Sequence, residues 1–185
     1  MRNLSNAIAL CVVLALLSAL GRLAGVLVVL GPLVVPGWTA SAGLLVLVLA
    51  LGLAAYGRFR RTATPPRRLL PRWLVAVLAV LSALATLLGA VADLGADYRV
   101  LEPAGPRGCR AVVREHAVLF SGGGDVHPVG WWGIGLRGSS WTADDGYRVI
   151  ASGTYELKWS GDSGVLVVRG RSGDPVWPAL HDVDC

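Results

Sequence analysis

The first 92 residues contain no aspartate, no glutamate and no lysine. An arginine buried in that half therefore has no acid in its own segment to pair with. Charge is scarce overall: 16% of the chain is charged and 54% is apolar. Soluble domains carry about 25% charged and about 45–50% apolar residues, so an ordinary cytosolic globular protein is excluded. The same apolar content excludes a disordered chain. Lysine occurs once, at Lys158, against sixteen arginines. With abundant Ala, Leu, Val and Gly, that bias suits a high-G+C bacterial genome.

What is present is unevenly placed. Residues 1–92 hold eight arginines, a charge of +8, and residues 93–185 hold nine bases and twelve acids, a charge of −3; together they give the net +5. A basic chain raises nucleic acid as a partner. Here the arginines flank apolar runs, as in the cytoplasmic loops of membrane proteins. No nucleic-acid partner is expected, and the lipid bilayer is.

Residues 1–92 read as a three-helix transmembrane region, with apolar stretches at about 7–35, 40–56 and 74–92. Crossing a hydrocarbon core of ~30 Å takes about 20 residues. The second and third stretches fit. The first is too long at ~1.5 Å per residue, so its helix either ends near Pro32 and Pro36 or tilts. Its apolar run continues past the small residues at Leu17-Ser18-Ala19, which favours an uncleaved anchor over a signal peptide. The loop 57–72 carries six arginines and residues 36–41 carry no charge. The charge bias therefore puts the N-terminus inside and everything after Ala92 outside.

Arg22 interrupts the first stretch. An ionisable group within a span is costly and suggests function, although a long side chain can also reach the lipid phosphates. Cys11, Ala15, Ser18, Ala19, Arg22 and Gly25 share one helical face. Ala79, Ser82, Ala83, Thr86 and Ala90 form a matching stripe on the third stretch. Small residues let transmembrane helices approach closely. Arg22 is thus expected to face protein, with Ser82 or Thr86 hydroxyls, carbonyls, lipid phosphate or another chain's acid as partners.

Residues 93–108 read as a linker with two prolines. Residues 109–185 read as a small extracytoplasmic all-β domain, a sandwich or barrel of five to seven strands. Cys109–Phe120 is a strand candidate, Ser121–Gly124 a turn, and Thr154–Trp159 alternates between two faces. Ser160–Gly164 turns the chain into Val165–Arg169. Trp141–Thr142, Tyr147–Ile150 and Val176–Trp177 are weaker strands. Cys109 and Cys185 bracket the domain and are expected to form one disulfide. Closing such a loop is worth roughly 4–5 kcal/mol in the chain-entropy model. The tail His181, Asp182, Asp184 and Cys185 has no second ligand cluster, so no metal is expected.

Two motifs imitate chemistry. Gly133-Ile-Gly-Leu-Arg-Gly138 matches G-x-G-x-x-G, but no helix follows it, as a dinucleotide site requires. No cofactor is expected. Gly161-Asp162-Ser163-Gly164 resembles the nucleophile motif of chymotrypsin-like serine proteases, and His127 and Asp144 precede Ser163 in that family's order. The resemblance stops after four residues: Val165 stands where that family has glycine, and the family's fold needs two barrels. Between two strands, these residues read as a turn.

Five of the seven tryptophans lie in residues 93–185. Trp131 and Trp132 cannot both point inward on a strand, because neighbours alternate. At least one is expected at a surface, against the membrane interface, the third span, or a ligand or partner. Together these features predict a non-enzymatic, multi-pass protein of the bacterial envelope. Its outer domain is expected to bind a partner protein or cell-wall component, such as another membrane protein or a cell-wall glycan, and the chain's candidate partner-binding residues are Arg22, Trp131 and Trp132. The alternatives are an accessory subunit of a transport or channel complex acting through its helices, and an extracytoplasmic hydrolase.

Overall fold

The computed structural model describes residues 2–62, 70–161 and 163–185. The chain forms two compact units: Met1–Leu23 with Pro36–Ala92, and Ala24–Val35 with Asp93–Cys185.

The first unit contains three helices, α1 (Arg2–Leu23), α2 (Gly37–Thr62) and α3 (Arg72–Ala92), each packed on the other two. Each carries an apolar stretch of 20 to 22 residues, long enough to cross a membrane. Their burial is inverted relative to a soluble bundle. Ala15, Ala19, Ser41, Ser82, Thr86 and Gly89 are buried, while Leu17, Leu49, Leu53, Leu87 and Leu88 point outward. Small residues govern the contacts. A Cβ at Gly37 would collide with the carbonyl oxygen of Ser18, and one at Gly89 would lie 2.7 Å from Trp38 Cβ. Thr86 donates to the Ser82 carbonyl and shares a 2.7 Å hydrogen bond with Ser41, joining α2 to α3. The small stripe on α3 runs through Ala79, Ser82, Thr86 and Gly89, whereas Ala83 is exposed.

The second unit is all β. Its strands are β1 (Leu27–Leu30), β2 (Leu33–Pro36), β3 (Ala96–Val100), β4 (Arg110–Val118), β5 (Ser121–Val129), β6 (Ile134–Gly135), β7 (Ser139–Asp144), β8 (Tyr155–Ser160), β9 (Ser163–Val168) and β10 (Ala179–Asp184). Seven form one sheet in the order β2-β1-β6-β5-β4-β3, with β7 on β5. That sheet curls into a nearly closed barrel, and β10-β9-β8 form a second sheet. The main core lies between the two sheets. It is built from Val113, Val126 and Trp141 of the first and Leu157, Leu166, Val168 and Val183 of the second. A smaller cluster of Leu27, Val29, Val112 and Val129 fills the other face of the seven-stranded sheet.

The stretch 7–35 is not one membrane segment. Its helix ends at Leu23, and residues 24–35 supply a β-hairpin to the sheet. Leu27 pairs with Gly135 and Val28 with Ile134. The hairpin reads as membrane because it is apolar on both faces, Leu27 and Val29 being buried and Val28 and Leu30 exposed. Residues 93–108 are not merely a linker, because β3 pairs with β4. The loop at 57–72 starts late, since α2 continues through Thr62. Arg67 and Arg68 lie outside the described residues.

Ser121–Gly124 is strand rather than turn; the chain reverses just before it, at Leu119, whose φ is 54°. These glycines serve close approach. A Cβ at Gly122 would lie 2.6 Å from the Tyr147 carbonyl oxygen, and one at Gly124 would enter the Trp141 ring. Tyr147–Ile150 is irregular, and Val176 makes only an isolated bridge to Ala143. The alternating segment does become β8, with Leu157 buried and Tyr155 and Trp159 on the same core.

Candidate functional site

Cys109 and Cys185 are joined in a disulfide that ties the start of β4 to the end of β10. Cys185 is therefore not a thiolate ligand in the C-terminal tail. Cys11 is a free thiol on α1.

Trp131 and Trp132 occupy the turn between β5 and β6. Both project outward, 67% and 73% exposed, with ring centroids 3.7 Å apart. Alternation along a strand requires one outward ring; a turn, unlike a strand, permits two. Close to them in the chain, β6 and its partner β1 carry further outward apolar side chains that sequence reasoning missed. Antiparallel pairing of Val28 with Ile134 puts those two side chains beside each other. Leu30 and Leu136, two residues further along their chains, fall on the same face and are also exposed. Six large apolar side chains thus point outward on β1, on β6 and on the residues that flank β6. Gly31-Pro32 between Val28-Val29 and Val34-Val35 is a turn signal, but nothing local to it names the strand that the hairpin joins.

Arg22 lies in the last turn of α1 and is half-buried. Its Cδ lies 3.2 Å from where a Cβ would stand on Gly89 of α3. It therefore faces protein, as the small-residue face implies. Of the hydroxyls that the sequence offers as its partners, Ser82 donates to the Leu78 and Val12 carbonyls and Thr86 to the Ser82 carbonyl.

A polar cluster occupies the sheet face that also carries Val112 and Val129. Arg114 Nε donates to Asp93 Oδ1 at 2.8 Å, and Arg114 Nη1 to Asp125 Oδ2 at 3.3 Å. Tyr98 Oη donates to Asp93 Oδ2 at 2.9 Å. Burial and the adjacent Asp93 carboxylate push the Tyr98 hydroxyl well above the usual tyrosine range. It remains a donor and cannot serve as a base. Arg114 is pinned between two acids, so the group works as a brace across β3, β4 and β5.

The residues of the protease-like order play other roles. His127 is buried on β5, and Asp144 and Ser163 lie on β7 and β9 of different sheets. Ser163 pairs with Ser160 at a hairpin turn; Asp162 lies outside the described residues. Gly133–Gly138 contains β6 and no helix. His181 Nδ1 is 3.0 Å from Ser139 Oγ. Burial lowers the pKa of both His127 and His181, keeping the neutral imidazole.

No family model, curated protein or solved structure matches the chain.

Proposed function

We propose that this protein is a non-enzymatic, membrane-anchored binding module of the bacterial envelope. Its β unit, held outside the cytoplasm, takes a partner protein on the Trp131–Trp132 face. The observation that carries the reading is that group of six large apolar side chains on β1, on β6 and on the residues that flank β6, all pointing outward. Contiguous exposed apolar surface rimmed by polar residues is characteristic of interaction sites, and tryptophan is enriched at their energetic centres.

The topology has its own support. The hairpin 24–35 follows α1, residues 93–185 follow α3, and both belong to one sheet. Three spanning helices put the α1–α2 connection and the chain after α3 on one side, as that sheet requires. The arginine-rich segment between α2 and α3 then falls on the other side, which the charge rule makes cytoplasmic.

Two measurements test this. A reporter active only outside the cytoplasm is active when fused at Cys185 and silent when fused after Thr64; the reverse removes the topology. A photo-crosslinking amino acid at position 132, in intact cells, gives one discrete protein adduct, lost with Ile134→Asp. Adducts to lipid alone, or none, remove the partner reading.

A further inference from the structure

The seven-stranded sheet is nearly closed, and its two end strands, β2 and β3, are not neighbours in its hydrogen-bonding order. Beside β3 lies a cleft of about 670 Å³, bounded by Arg99, Val100 and Leu101 on one side and by Gly31 and Pro32 of the β1–β2 turn on the other. Such a volume falls within the range of ligand pockets, ~300–1,000 Å³.

The register fixes what β3 presents to this cleft. Val100 lies opposite Val112, and Leu101 N donates to the Ala111 carbonyl at 2.8 Å. In an antiparallel ladder the hydrogen-bonded and non-bonded pairs alternate. Leu101 and Arg99 therefore turn their main-chain groups toward β4. Val100 turns its N–H and C=O the other way, into the cleft. No hydrogen bond among the described residues uses them. A free strand edge in a cleft is a template for another strand.

The charges narrow the occupant. Arg99 is exposed at the cleft and forms no ion pair among the described residues. Arg110 reaches across from β4, where Nη1 donates to the Gly31 carbonyl at 2.9 Å. The one acid on the cleft, Glu102, already accepts from the Ala104 amide. The arginines sit on opposite faces of the sheet, because Arg99 and Arg110 fall at odd and even register positions of β3 and β4. They would flank an added strand above and below.

We infer that this cleft is a peptide-binding site, in which an extended segment of a partner protein adds to the edge of β3 at Val100 with a carboxylate side chain beside Arg99 or Arg110. The site is separate from the tryptophan face, so either can fail without the other.

The test uses the full chain in phosphatidylcholine nanodiscs and a displayed library of random octapeptides. Enriched peptides are expected to alternate in polarity and to contain Asp or Glu. Methylating alternate backbone amides of an enriched peptide should weaken binding tenfold or more. Either Arg99→Glu or Arg110→Glu should do the same, and exchanging the peptide's acid for lysine should restore binding to the variant that lost it. Val100→Pro removes an outward N–H, which edge positions tolerate, together with packing of the Val100 side chain on the Leu27, Val29, Val112 and Val129 cluster; it should weaken the peptide, whereas Val100→Ala, which loses the same packing but keeps the N–H, should bind it as the parent chain does. Trp131→Ala should leave binding intact. The inference is overturned by no enrichment over empty discs, by binding indifferent to backbone methylation, or by a peptide-free dimer that Val100→Pro converts to monomer. That last result would mean a second copy covers the edge.

Discussion

The two units of this chain solve opposite packing problems. In the helical unit the large apolar side chains face outward, and Ala, Gly, Ser and Thr meet at the contacts. In the β unit Leu, Val and Trp form the core, all three histidines and all twelve acids lie there, and the ends are stapled by a disulfide. Burying leucine against leucine gains nothing where the surroundings are as apolar as leucine. Close backbone approach and hydroxyl hydrogen bonds then hold helices together. In water the hydrophobic term returns, at roughly 25 cal/mol per Å² of apolar surface buried. The first pattern is the one expected of helices packed in lipid and the second that of strands packed in water.

The largest expected separation between the units comes from the disulfide. Replacing Cys109 and Cys185 by serine in the full chain should cost the β unit about 4.5 kcal/mol, from opening a loop of 76 residues. Thermal unfolding followed by near-UV circular dichroism should move to lower temperature while the far-UV helical signal holds. If both signals fall together, the units are one cooperative structure and the comparison fails.

Glu115 comes next. It is 1% exposed on the core face of β4, and its carboxylate accepts from the amides of Ile150 at 2.7 Å and Ala151 at 3.1 Å. Glu115→Gln keeps the shape but turns an NH₂ toward one of those donors. A loss of about 1–3 kcal/mol follows from leaving a buried donor unmet. Denaturant unfolding that leaves this variant unchanged would mean the two amides find other partners.

Acid should then distinguish the units. His127 and His181 are buried, and their folded pKa values lie below the unfolded value of about 6.5. The unfolded chain therefore binds protons first. Stability of the β unit falls as pH drops below ~6.5, by up to about 1.4 kcal/mol per pH unit for each histidine, until the folded values are reached. His127→Phe should flatten that slope. Residues 1–92 contain no acid and no histidine, so unfolding of the helical unit should not change over the same range.

The smallest effect probes the helices. Ser41→Ala removes the hydrogen bond to Thr86 and should cost about 0.6 kcal/mol, the typical value for a polar contact between transmembrane helices. Titration from mild detergent into dodecyl sulfate reads it. A loss several times larger would mean the α2–α3 contact depends on this pair rather than on small-residue packing.

Much of this was legible locally. The α2 and α3 stretches, the alternation of Tyr155, Leu157 and Trp159, and the paired Cys109 and Cys185 each announce themselves within a few residues or by simple counting. Residues 24–35 did not. Leu27-Val-Val-Leu30 is apolar at every position, so neither period marks it, and its proximity to α1 made it look like more of the same span. The brace of Asp93, Tyr98, Arg114 and Asp125 was equally silent, because its members come from three segments that meet only through strand pairing.

The sequence by itself determined which residues are apolar enough for lipid, where charge accumulates, and which cysteines close the β unit, because composition and short-range periodicity carry that information. The tertiary structure alone decided that residues 24–35 join the sheet, that Gly122–Gly124 lie in a strand under Trp141 and Tyr147, that Trp131 and Trp132 both face outward, and that β3 leaves an open edge beside Arg99 and Arg110. Each of these depends on which distant segment supplies the neighbouring strand. A register is a property of two segments together, and a one-residue slip in it would exchange every inward side chain for an outward one.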